Sequence, residues 1–142
     1  IASIHSAFSQ DADTITARLV RAVRHRHVDI LGHCTNRKVT GRSRPPSDFD
    51  AEIVFAACAK FDKAVEINCR PERLDPPDEL LALAVDWDCK VAIDTDAHAP
   101  GQLEWQPFGC EKAAACEVPI ESIVNTWAAD ELTAWAAGHD AR

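Results

Sequence analysis

Methionine is missing altogether from the 142 residues, so the opening segment Ile1-Ala2-Ser3-Ile4-His5 has no start residue ahead of it. That segment reads as the inside of a strand, and the expectation is a fragment with sequence missing upstream. No apolar run approaches the ~18 residues of a membrane-spanning helix, and no basic stretch leads into an apolar core, so neither a span nor a signal peptide is visible. A cytoplasmic setting is the default expectation. None of the six cysteines (Cys34, Cys58, Cys69, Cys89, Cys110, Cys116) forms C-x-x-C, and most lie in apolar segments, which favours reduced, buried small residues over disulfides. Positive charge is the scarcer sign, with 15 Lys and Arg against 23 Asp and Glu. The net charge of -8 argues against coating nucleic acid or an anionic membrane with the whole surface, so any phosphate contact must be local. The glycine-rich dinucleotide motif, the P-loop, the G-x-S-x-G elbow and H-E-x-x-H are all absent.

What is present fits one α/β domain, since 46% hydrophobic residues in this length make a real core but not two. Four strands are expected, at Ile1 to Ile4, Val28 to His33, Ala64 to Asn68 and Lys90 to Ile93. Between them the helical period places one helix from Asp13 to about Arg26, capped by Asp13 or Thr14. A second opens at Ser47-Asp48-Phe49-Asp50, which has capping-box spacing, and buries Ile53, Val54, Ala56, Ala57 and Phe61. A third opens at Asp75-Pro76-Pro77-Asp78-Glu79 and runs to Trp87. Glu111 to Cys116 reads as a short helix and Ala129 to Ala136 as a terminal one, stopped at Ala137-Gly138.

The strand ends fall at His5, His33, Asn68 and Asp96, at intervals close to the roughly 30 residues of a strand-helix unit. Consecutive right-handed βα units build a parallel sheet in which every strand exit lies on one edge, so these residues and His98 should converge. Asp96 and His98 are two apart and point to the same side of an extended backbone, a carboxylate and an imidazole suited to Zn, Mn or Fe. His5 and His33 supply two further imidazoles, giving His5, His33, Asp96 and His98 as metal ligands, with Asp96 and His98 as catalytic candidates. Arg37, Lys38, Arg42 and Arg44 leave the His33 strand, and Arg70 and Arg73 leave the next; Arg42 and Arg70 are the candidates for holding a substrate phosphate. Cys34, next to His33, is a soft alternative ligand that the hard, oxygen-rich chemistry of the other donors disfavours. His25 and His27, at the far end of the first helix, read as structural or solvated, and His139 as part of a tail.

At Ser3-Ile4-His5-Ser6, Asp29-Ile30-Leu31-Gly32-His33-Cys34-Thr35, Val65-Glu66-Ile67-Asn68, Ile93-Asp94-Thr95-Asp96-Ala97-His98 and Val124-Asn125-Thr126-Trp127 the sequence resembles the PHP (polymerase and histidinol phosphatase) family. The likeness runs in order across essentially the whole chain and is nearest to PHP domains of bacterial family X DNA polymerases and related stand-alone actinobacterial proteins. It implies the C-terminal part of a distorted seven-stranded β/α, TIM-like barrel with parallel strands and up to three divalent metals. Residues 1–142 would then be a partial PHP domain whose N-terminal strands, with their H-x-H motif and bridging carboxylate, lie outside the sequence. By the same resemblance His5 and His33 serve one metal, Asp96 a second and His98 the third, with Asn68 beside the site. The family usually carries Gly at the position of Asn36 and more often Pro than Cys at position 34.

The leading expectation is a metal-dependent phosphoesterase acting on a phosphorylated small molecule or a nucleic-acid end, through a metal-activated hydroxide attacking in line with the leaving oxygen. The alternative is a non-catalytic half-barrel module that forms a homodimer or docks on a missing N-terminal half. A third reading is an amidohydrolase-like metal enzyme cleaving C–N bonds.

Overall fold

Ala64-Val65-Glu66-Ile67-Asn68 is buried at every position, and this run is the central strand of the molecule. In the computed structural model, which describes residues 1–140, the sheet has three parallel strands in the order β1 (Ile30–Leu31), β2 (Ala64–Asn68), β3 (Lys90–Asp94). Parallel neighbours need a crossover, and helices α2 (Ala51–Lys60) and α3 (Asp78–Asp86) supply it. The α/β class is as expected, and three parallel strands are compatible with part of a TIM-like barrel. Seven strands are not seen among the described residues.

Two expected strands are smaller than their apolar content suggested. Ile1 to Ile4 contributes one bridge, Ala2 to Leu31, with Ala2 N–H donating to Ile30 O at 2.9 Å and Gly32 N–H to Ala2 O at 2.8 Å. Val28 to His33 shrinks to two residues because Val28 N–H turns back to His25 O and His33 adopts a left-handed backbone, φ 28°. On the opposite edge Val91 bridges to Ile123, and the Asn125 carboxamide continues the ladder. Its Oδ1 accepts from Ile93 N–H at 2.7 Å and its Nδ2 donates to Ile93 O at 3.0 Å.

Helix α1 (Ala12–Val23) begins one residue before the expected start and ends three before the expected finish. Its cap is Asp11, which accepts from both Thr14 N–H and Thr14 Oγ1 at 2.8 Å, so Thr14 is the donor and not the cap. The cap of α2 is Asp50, not Ser47; Ser47 Oγ is drawn away to Phe8 O. Ile53, expected inside, is exposed, and the buried face is Val54, Phe55, Ala57 and Cys58. Helix α3 starts at Asp78, after a cis Asp75-Pro76 bond, and keeps the acidic first turn of Asp78 and Glu79.

Helix α4 (Gln106–Ala115) is longer than expected at its start, following a 3-10 turn at Pro100–Trp105; two further 3-10 turns, Ile120–Ser122 and Val124–Thr126, occupy the ambiguous stretch. Gly109 lets α4 lie directly on the sheet, because a Cβ there would meet Cys69 Sγ and stand 2.6 Å from Ile93 Cγ2.

Helix α5 (Ala129–Asp140) passes straight through Gly138 instead of stopping there. The reason is His139, which is no tail residue: it is 1% exposed, with Nδ1 2.8 Å from Asp29 Oδ1 and Nε2 2.9 Å from Asp62 O. Trp135 Nε1 donates to the same Asp62 carbonyl at 3.0 Å. These contacts tie α5 to the residues preceding β1 and β2, opposite the strand exits. His25 and His27 are exposed, as expected. All six cysteines are free, with Cys34, Cys58, Cys69 and Cys89 buried. No helix among the described residues is long and apolar enough to cross a membrane.

Candidate functional site

At the carboxyl ends of the strands the loops enclose a cleft of about 400 Å³ that receives His5, His33, Asp96 and His98, together with Lys38, Arg70, Glu72 and Arg73. The convergence expected from the βα spacing is therefore present. Asn68 lies beneath the cleft, fully buried, where its Nδ2 donates to Glu66 Oε2 at 3.3 Å and its Oδ1 accepts from Arg70 N–H at 3.2 Å. It fixes how the chain leaves β2 and so where Arg70 points.

His33 follows Gly32, at which a Cβ would collide with Ser3 Oγ and Ile1 Cγ2, so Ser3 can lie against the turn only because no side chain intervenes. The His33 backbone N–H donates to Oε2 of the Glu66 carboxyl on β2. Its ring is buried, stands edge-on to His5 at 5.2 Å between centroids, and has an Nδ1 with no hydrogen-bond partner. Burial, reinforced by the Arg73 guanidinium, pulls the His33 pKa down to about 4, so near neutral pH it is an uncharged imidazole.

Asp96 also has a left-handed backbone, φ 50°, and its carboxylate faces arginines: Oδ2 is 3.4 Å from Arg73 Nε and 3.9 Å from Arg70 Nη1. Its carbonyl accepts from Arg70 Nη1 at 3.0 Å. His98 Nδ1 lies 2.7 Å from that carbonyl and 3.0 Å from Arg70 Nη1. Arginine only donates and a carbonyl only accepts, so no single tautomer satisfies both contacts. The His98 side chain is 71% exposed.

The sequence reading gave three contributors no site role, although it placed Arg73 among the cations at the strand exits. Glu66 is a carboxyl inside an apolar strand; burial, then the nearby Asp94 carboxylate, push it up to about 8. The charge within Ala64-Val65-Glu66-Ile67 was the available signal. Arg73, and not Arg42, reaches the Asp96 carboxylate. Asn36, where the resemblance has Gly, takes the left-handed backbone itself, φ 56°, and its buried Oδ1 accepts from Arg73 Nη1 at 2.9 Å and Arg44 Nη2 at 2.6 Å. Arg42 does not line the cleft; it lies in a neighbouring depression with Lys38, Ser43 and Arg44. Cys34 is buried, and desolvation, then the Asp75 carboxylate, raise its thiol well above the usual range, which opposes thiolate ligation.

The donors fit a metal unevenly. The His5–His33 pair suits a divalent transition ion, being two imidazoles in edge contact, of which buried His33 has an unpartnered Nδ1 and His5 is exposed. Asp96 and His98 are turned toward Arg70 and Arg73, and no group of three His, Cys, Asp or Glu side chains is gathered for a metal among the described residues.

No family model matches the chain. Among curated proteins it is similar to the DNA polymerase/3'-5' exonuclease PolX of Bacillus subtilis, 33% identical over 140 residues that make up 99% of this chain and 24% of that protein. It is also 31% identical to a probable phosphatase of Aliivibrio fischeri, across 69% of this chain and 40% of that one. A probable phosphatase of Caldicellulosiruptor bescii is 26% identical, across 88% and 52%. These relatives are consistent with a PHP-type relationship. The chain spans between 24% and 52% of the length of each of the relatives named here.

Proposed function

We propose that this chain carries the phosphate-handling face of a metal-dependent phosphoesterase. The observation that supports it best is the joining, in one cleft at the strand exits, of His5 and an uncharged His33 with two guanidinium groups, Arg70 and Arg73. The relatives named as phosphatases and as an exonuclease support the same reading. His5 and His33 would hold a divalent ion, Zn, Mn or Fe, with Asp96 and His98 as the further donors. When bound, such an ion supplies an activated water and neutralises charge developing on phosphate oxygens. Arg70 and Arg73 hold the phosphoryl oxygens, for which planar guanidinium donors are suited. Asp96 is then released from Arg73 in exchange for the incoming anion, which couples substrate binding to freeing the carboxylate.

Phosphate release from a chromogenic phosphomonoester, with metal equivalents determined on the same preparation, tests the proposal. Bound metal that is lost in His33→Ala, and turnover reduced at least a hundredfold in Asp96→Asn, are the expected results. Unchanged turnover in Asp96→Asn would sink the assignment. A second reading, a phosphate-binding module without turnover, is favoured by the arginine pairing of Asp96. Phosphate binding with neither metal nor hydrolysis is its signature.

A further inference from the structure

The end of α1 and the end of α2 carry positive charge that the cleft does not use. Arg21, Arg24, His25 and Arg26 are exposed at the first, and Lys60 is exposed at the second. Arg24 and Lys60 both lie over the Phe61 ring, at 6.0 and 5.9 Å from its centroid, which joins the two helix ends into one patch. Beside it is a groove of about 480 Å³ lined by Ala17, Val20, Arg21, Arg24 and His25. Positions 17, 20, 21 and 24 are three and four apart, so small apolar side chains and guanidinium groups share one helix face.

Arg21 lies in the last turn and complements the α1 dipole, for which one cation is enough. Arg24, Arg26 and Lys60 add like charge, and among the described residues none of these cations is paired with a carboxylate. The acids that follow each helix end are taken, Asp29 by His139 and Asp62 by Lys90. In a chain of net charge -8 the patch is a local reversal of sign. Helix ends that lead into β1 and β2 stand at the amino ends of the strands, whereas the cleft lies at their carboxyl ends. The five residues of β2 span about 16 Å, twice the screening distance of about 8 Å at physiological salt, so the two cationic groups act separately.

We propose that this patch docks an acidic segment of a partner protein, one in which carboxylates alternate with apolar side chains. Guanidinium groups pair with carboxylates through two parallel hydrogen bonds, and the floor of Ala17 and Val20 takes an apolar side chain. A nucleic-acid strand favours open aromatic faces, and the phenyl ring of this patch already lies under Arg24 and Lys60. A bilayer favours large apolar side chains that enter it, and none of the exposed ones lines the groove. The inference is independent of the phosphoesterase reading.

The test is fluorescence anisotropy of the chain with a short labelled peptide of alternating glutamate and leucine at about 0.15 M salt, beside the same peptide with glutamine for glutamate. The acidic peptide is expected to bind about tenfold or more tightly than its neutral twin. A double variant, Arg21→Glu with Arg24→Glu, should reduce that ratio to about twofold or less with the thermal melt unchanged. Should the charge reversal lower the melt, Arg21→Gln with Arg24→Gln reads the same ratio. Absence of binding, equal affinity for the two peptides, or a double variant that keeps the preference overturns the proposal. Tighter binding of oligothymidylate or of phosphatidylglycerol vesicles, lost in the double variant, gives the patch to another polyanion and also overturns it. So does salt-sensitive self-association lost in that variant, which makes the occupant a second copy of this chain.

Discussion

Glu66 and His33 are joined by one hydrogen bond and titrate in opposite senses. His33 is depressed from 6.5 to about 4, so its contribution to stability is full above about 6.5 and is lost as pH falls toward 4. Glu66 is raised from 4.5 to about 8, so its contribution is full below about 4.5 and is lost as pH rises toward 8. For the metal-free chain, denaturant titrations across this range should show stability falling on both sides of mildly acidic pH. In Glu66→Gln the alkaline decline should flatten while the acid decline stays. An alkaline limb of unchanged slope in the variant would mean that Glu66 is not its source. Chelation also bears on this pair: a metal held by His33 shifts the acid decline to lower pH, because protonation must then compete with the ion.

At the scale of elements, α4 and α5 are held in different ways and should fail differently. α4 depends on a close approach, so Gly109→Ala should cost about 1–3 kcal/mol through overpacking against Cys69 and Ile93. α5 depends on polar anchors, so His139→Leu should lower stability by about 1–3 kcal/mol by removing the contact to Asp29 Oδ1 and one of the two donors to the Asp62 carbonyl. Thermal melts of both variants check these values; a His139→Leu melt equal to wild type would show that the anchor carries no weight. The two helices also show where sequence reading succeeds. β2, β3 and α3 were legible because each is a continuous apolar or amphipathic run between clear punctuation. α5 was cut short because Gly138 reads as a stop, whereas the long-range contacts of His139 carry the helix past it. β1 was overdrawn for the related reason that a turn at His25 and a left-handed His33 consume residues that look strand-like. In the site, the histidines and Asp96 were legible from their phase with the strand ends. Arg70 was expected there and lines the cleft, but that Arg73 and not Arg42 joins it was not legible, because Arg73 is positioned by the backbone of Asn36.

Across the whole molecule, chemistry and anchoring occupy opposite ends of the strands. The cleft is built from His5, after the bridge at Ala2, and from loops that follow β1, β2 and β3, while α5 is fastened to residues that precede β1 and β2. A variant at His139 is therefore expected to change the melting temperature far more than phosphate affinity, and parallel measurement of the two would show it. The edges of the sheet carry a separate burden. Beside Ile93 the ladder is completed by the two ends of a single carboxamide, Asn125, and not by another strand. Asn125→Leu would strip that cover, leaving a bare Ile93 N–H on the rim of β3 and its carbonyl with only the longer bond from Gln106 Nε2, the kind of template on which chains stack into fibres. Storage at high concentration should turn such a variant cloudy and dye-positive for amyloid while the parent stays clear, making one amide side chain a guard against self-assembly.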